Sequence, residues 1–118
     1  MSDYLNQEPL TNMTIFFGFV LILVGILFKL KPPKTINSIY GYRTPRSMKD
    51  QEHWDFAHEF SANLSIYLGL ACMAVAPVGW YLKVSEVAEV FIGVGWLILV
   101  CFMLFWRTEK ALKEKFEE

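Results

Sequence analysis

Residues 37–63 read NSIYGYRTPRSMKDQEHWDFAHEFSAN, the one long polar stretch of the chain. It holds both histidines, four acids and three bases. Everything on either side is apolar. Upstream, Thr11–Leu30 carries no charge before Lys29. Downstream, Phe60–Leu82 carries none, and Val87–Trp106 carries only Glu89 near its start. Each run is about 20 residues long, enough to cross a hydrocarbon core of about 30 Å at about 1.5 Å per helical residue. Three such helices exceed what a soluble chain of 118 residues could cover. The expectation is therefore an all-α membrane protein with three transmembrane helices, the second extended into the cytoplasm. One domain covers residues 1–118, with spans at about 11–30, 60–82 and 87–106 and a cytoplasmic motif loop and helix extension at 31–59.

Bulk composition agrees. Apolar residues make up 54%, charged residues only 19%, and mean hydropathy is +0.33. A net charge of −1 gives no basic surface for nucleic acid. The distribution of charge is more telling. Lys29, Lys31, Lys34, Arg43, Arg46 and Lys49 surround the first loop, and Arg107, Lys110, Lys113 and Lys115 follow the last run. Lys83 stands alone between the second and third runs, and no base precedes the first. Basic loops stay inside, so the expected orientation is N-terminus outside and C-terminus cytoplasmic, in a bacterial inner membrane. The first run has no basic residues before it and ends in Lys31-Pro32-Pro33, the reverse of a cleaved leader. Residue 2 is Ser and the last residues form no prenylation box, so no lipid anchor is expected.

Helix limits follow from local chemistry. Thr11 or Asn12 after Pro9 suits the first entry, and Lys31-Pro32-Pro33 ends that helix. Gly18 and Gly25, seven apart, share a face. Thr44-Pro45, or Ser47 with Asp50, suits the second entry. From Met48 no glycine or proline occurs before Gly69, which predicts one helix from Met48 to about Leu82, bent near Pro77 and Gly79. Projected at about 100° per residue, Glu52, Asp55, Glu59 and Asn63 form an acidic stripe. Ser61, Ser65, Gly69, Cys72 and Ala76 form a second face of small residues, which lets helices approach closely in lipid. Ser85 caps the third helix, with Glu86 and Glu89 favoured by its dipole. The tail reads as a solvated helix with Glu109–Lys113 and Lys110–Glu114 pairs.

No catalytic residue, cofactor or metal is expected. His53 and His58 point to either side of the acidic stripe, too far apart for one ion. Cys72 and Cys101 sit at different depths, and no nucleophile–base pair or phosphate loop occurs. The basic loop beside the acidic stripe predicts a clasp in which Arg43 or Arg46 forks Glu52, Asp55 or Glu59. Trp54, away from the stripe, is expected at the inner interface or against the first or third helix.

Asn37, Tyr40-Gly41-Tyr42-Arg43-Thr44-Pro45 and Trp54, flanked by hydrophobic runs, resemble the motif of the SdpI family of small bacterial membrane proteins. The resemblance covers about Leu21 to Trp106. It implies a membrane module in which Tyr40, Gly41, Tyr42, Arg43, Thr44, Pro45 and Trp54 form a shared structural motif. Glu52, Asp55 and Glu59, read from the helix projection, join them as candidate structural or partner-binding residues. It also implies a binding, signalling or immunity-like role without catalysis, since one member confers immunity to a secreted toxic peptide and signals through its repressor. That member carries further spans before this module. The alternative is an accessory subunit of a larger membrane complex. The partners expected are the lipid bilayer and either other membrane proteins or a peptide.

Overall fold

The computed structural model describes residues 9–82 and 84–117. The segment before Pro9, Lys83 of the second connection, and Glu118 lie outside the described residues. Three helices are long and apolar enough to cross a membrane, and no strand occurs among the described residues. They are α1 (Pro9–Leu30), α2 (Gln51–Val75) with a short continuation α3 (Val78–Tyr81), and α4 (Glu86–Phe116).

Helices α1 and α2 are the most intimate pair, because glycine meets glycine. A Cβ on Gly69 would lie 2.6 Å from the Gly18 carbonyl oxygen, and one on Gly18 would lie 2.7 Å from that of Gly69. Backbones this close gain dispersion contact that lipid tails cannot displace. Gly25 repeats the approach against Ala62 and Ile66. Ser61, Ser65, Gly69, Cys72 and Ala76 are all buried, as the small-residue face requires. Two hydroxyls bond across the pair: Ser65 Oγ donates to the Leu21 carbonyl at 2.7 Å, and Thr11 Oγ1 to that of Ala76 at 2.7 Å. Thr11, expected as a cap, instead ties α1 to the far end of α2.

The expected helix from Met48 to Leu82 is shorter and broken. Asp50 is its N-cap, accepting from the His53 amide at 2.9 Å, so the helix proper starts at Gln51. Pro77 has no amide hydrogen and ends the regular ladder. Within the single turn of α3, the Gly79 and Trp80 amides bond three residues back, to the Ala76 and Pro77 carbonyls. Helix α4 begins as expected, with Ser85 Oγ accepting from the Ala88 amide at 3.1 Å. It buries one stripe, Glu89, Gly93, Val100, Thr108 and Leu112. The Trp96 indole donates to Cys72 Sγ at 3.3 Å, and Leu21, Cys72 and Val100 form the small core between the three helices.

The tail is helical but not free in solvent. Leu112 and Thr108 are fully buried, and the Phe116 ring stacks on His53 at 3.9 Å. The expected Glu109–Lys113 and Lys110–Glu114 pairs do not occur among the described ion pairs, because Glu109 is turned inward. The contacts also set a common level: Phe28 meets His58 at 5.1 Å, and Phe60 lines a hollow with Arg107 and Lys110. Lys29, Glu59 and Arg107, the first charges beyond the apolar runs, thus lie near one plane. The motif loop and both helix extensions stand beyond it.

Candidate functional site

The loop between α1 and α2 is built from its own sequence outward. Asn37 Oδ1 accepts from the amides of Ile39 and Tyr40, at 2.9 and 2.7 Å, forming an Asx turn. The Tyr40 hydroxyl closes back on the Lys31 carbonyl at 3.1 Å. Gly41 follows with φ +123°, a conformation other residues adopt at a cost. Its missing side chain has a second reason, since a Cβ there would lie 2.5 Å from His58 Nε2. Thr44 and Ser47 then cap each other. The Thr44 amide donates to Ser47 Oγ at 2.9 Å, and the Ser47 amide to Thr44 Oγ1 at 3.1 Å. Together they hold the turn over residues 45–48, a separate element from α2.

His58 fixes this loop to α2. The Tyr42 amide donates to His58 Nε2 at 2.8 Å, so that nitrogen is bare and the proton sits on Nδ1. Nδ1 then donates to the Trp54 carbonyl at 2.7 Å. Neutral imidazole satisfies both neighbours, and protonation would set two donors face to face. Trp54 is fully buried and lies 4.3 Å, centroid to centroid, from the same imidazole. Its indole donates to the Pro33 carbonyl at 2.7 Å, which staples the helix-ending Pro32-Pro33 turn onto α2.

The expected clasp of Arg43 or Arg46 on Glu52, Asp55 or Glu59 does not occur among the described ion pairs. Arg46 pairs not with the acidic stripe but with α4: Nη1 lies 3.1 Å from Glu109 Oε1 and Nε 2.6 Å from Glu117 Oε2. Glu109 is the hub. Its Oε2 also accepts from the Tyr42 hydroxyl at 2.8 Å and from Thr44 Oγ1 at 2.9 Å. Three donors of the Tyr42-Arg43-Thr44-Pro45-Arg46 run thus converge on one carboxylate, half a chain away. The Glu109 contact carries more than the Glu117 one, because the Glu109 side chain is 15% exposed and Glu117 is 35% exposed at the helix end. Burial and the Glu109 carboxylate hold the Tyr42 hydroxyl far above its ordinary pKa, so it stays a donor. The Arg46 fork holds the Glu117 carboxyl below the carboxylate range, and the His53 amide and ring do the same for Asp50.

Arg43 is exposed and makes no ion pair among the described residues. Glu52, Asp55 and Glu59 are likewise exposed. Asp55 accepts from Gln51 Nε2 at 2.8 Å, and Asp55 and Glu59 edge a half-open cleft of about 510 Å³. Phe28, Lys29, Pro32, Pro33 and His58 line the rest. His53 turns the other way, with Nδ1 2.6 Å from Asp50 Oδ1 and its ring on Phe116. Tyr42 and Thr44 thus meet at Glu109, and Trp54 meets Pro33 and His58, three partners that the sequence did not indicate. No signal in the sequence singled out Glu109, one of four acids interspersed with four bases after Trp106.

Fold and site define the class: a three-span all-α membrane protein whose polar loop is latched onto the ends of its second and third long helices. The SdpI/YfhL protein family matches residues 34–106, so the chain belongs to that family. It is similar to the uncharacterized protein YfhL of Bacillus subtilis (strain 168), with 46% identity over 97 residues, covering 81% of this chain and 82% of that protein. No solved structure matches the chain. The matched region ends at Trp106, so Glu109 lies just beyond it.

Proposed function

We propose that the protein is a non-catalytic binding or signalling component of the bacterial cytoplasmic membrane, immunity-like in type. Its N-terminus lies outside, and its latched end faces the cytoplasm. The observation that carries the reading is where the charges go. Arg46 is consumed by α4, so the stripe Glu52, Asp55 and Glu59 stays outward beside the cleft, on a rigid helix. A platform of that sign suits a basic segment of a partner protein or peptide. The absence of catalysis is supported by the use of the motif side chains. Tyr42, Thr44, Ser47, Trp54 and His58 all spend their polar atoms on structural bonds. The ten-to-one distribution of Lys and Arg supports the orientation.

The test is in-cell crosslinking of the tagged full chain, with the Glu52→Lys/Glu59→Lys variant beside it. A discrete partner captured by the wild type and lost on charge reversal is expected. Capture that ignores the reversal would remove the platform reading. A stoichiometric set of membrane proteins held through the spans would make the chain an accessory subunit instead. Reporters fused at Glu118 check the orientation, and a periplasmic signal there overturns it.

A further inference from the structure

Sharing no residue with the acidic cleft, a second hollow of about 180 Å³ is lined by Arg107, Lys110, Ala111 and Glu114 of α4 and by Phe60 of α2. Arg107 makes no hydrogen bond or ion pair among the described residues. Lys110 has no carboxylate partner there either, its ammonium lying 5.2 Å over the Trp106 ring. Both side chains are exposed. The level of the hollow matters most. Trp106 ends the last apolar run and Phe60 begins the second, so the two cations stand at the first polar layer of a bilayer. Elsewhere in the same layer, Lys29 shares its cleft with Asp55 and Glu59.

We propose that this hollow is a binding site for the phosphodiester of an anionic phospholipid with a hydroxyl-bearing headgroup, of the phosphatidylglycerol class. The Arg107 guanidinium offers a fork that matches phosphate oxygens, and Lys110, one turn on, adds a point charge. Basic hollows between membrane helices at headgroup depth collect acidic lipids for this reason. Glu114 stands about 6 Å further out along the helix than Lys110. It repels a second phosphate but accepts from glycerol hydroxyls, which selects a short polyol headgroup. The hollow holds a headgroup and leaves the acyl chains to the bilayer. This site does not depend on the partner platform of α2.

The purified full chain in mild detergent is titrated with phosphatidylglycerol or with phosphatidylcholine of the same acyl chains, and bound lipid is counted by native mass spectrometry. Retention of phosphatidylglycerol about ten-fold above phosphatidylcholine is expected. Arg107→Gln/Lys110→Gln should bring that ratio near one, while Lys31→Gln/Lys34→Gln, with the same charge change, leaves it intact. If the first double variant elutes aggregated, Lys110→Gln alone decides on the same ratio. Equal retention of both lipids by the wild type would overturn the site. So would an equal loss in the Lys31/Lys34 variant, which would show net charge and not the hollow at work. Occupancy by soluble glycerophosphate, at concentrations where phosphatidylglycerol fills the site, would make it a soluble-phosphate site and sink the lipid assignment.

Discussion

The apolar bundle and the latched end hold together by opposite means. In the bundle, α1 and α2 touch through Gly18, Gly25 and Gly69, with two hydroxyl–carbonyl bonds across the seam. Removing side chains creates the contact. At the polar end, contact comes from side chains that reach: Trp54 to Pro33, His58 to Tyr42, and three donors to Glu109. Lipid explains the difference. Between helices in hydrocarbon, burial of apolar surface gains little, so fit of the backbones has to do the work. Beyond the headgroups water competes for every polar atom, so each bond survives by being shielded or shared.

The strongest way to break the bundle is Gly69→Leu. The new side chain meets the Gly18 carbonyl and Ile22, and the pair must separate. A loss of about 3 kcal/mol or more is expected. It would read as a collapse of thermal stability in detergent, while Leu70→Ile, on an exposed position, changes nothing measurable. Equal loss from both would show that glycine contact is not the source of cohesion.

At the polar end, Trp54→Ala should cost about 3–5 kcal/mol. Trp54→Phe, which keeps the ring but drops the bond to Pro33, should cost about 1–2 kcal/mol. Calorimetry on both variants separates packing from the hydrogen bond. A Phe variant as damaged as the Ala variant would mean that the bond, not the buried ring, holds the turn.

Glu109→Ala comes next, at about 2–3 kcal/mol, because it orphans Tyr42, Thr44 and one arm of Arg46 together. Trypsin should then cut faster at Arg43 and Lys49. Arg46→Glu should act in the same direction. Arg43→Glu and Glu59→Ala, both at exposed positions, should stay within about 0.5 kcal/mol of wild type. Loss of the latch on Arg43→Glu alone would restore the stripe as the partner of the loop.

The smallest effect is acid titration of the cap. Hydrogen bonds from the His53 amide and ring lower the Asp50 pKa in the folded state, so its stabilisation is present above the ordinary carboxylate value and lost as pH falls through the folded one. Glu117 behaves alike through Arg46. Both groups are exposed, so the slope of melting temperature against pH below about 4 should be shallow. Asp50→Asn, which keeps an acceptor without a charge, should flatten it further. An unchanged slope in that variant would assign the acid response to other carboxyls.

What the sequence determined alone was where the apolar helices run and which face of α2 packs inward. The tail's expected i,i+4 pairs and the Thr11 cap, equally local, did not form among the described residues. Apolar length placed the three long helices. Small residues at helical spacing identified the α2 face that meets α1, and Ser85 marked the start of α4. The missing amide of Pro77 announced the break in α2, though not its size. What only the tertiary structure decided was which charged groups meet. From the sequence, Arg46 stands 6 residues from Glu52 and 63 from Glu109, and proximity favoured the stripe. The fold reverses the preference. The stripe faces the cleft beside Lys29 and Pro33, while antiparallel packing of α2 and α4 carries Glu109 to the mouth of the turn that Thr44 and Ser47 cap. Side-chain reach is a few ångströms, so the partner of a charge is chosen by helix register and rotation, and those are set by the glycines and serines inside the bundle.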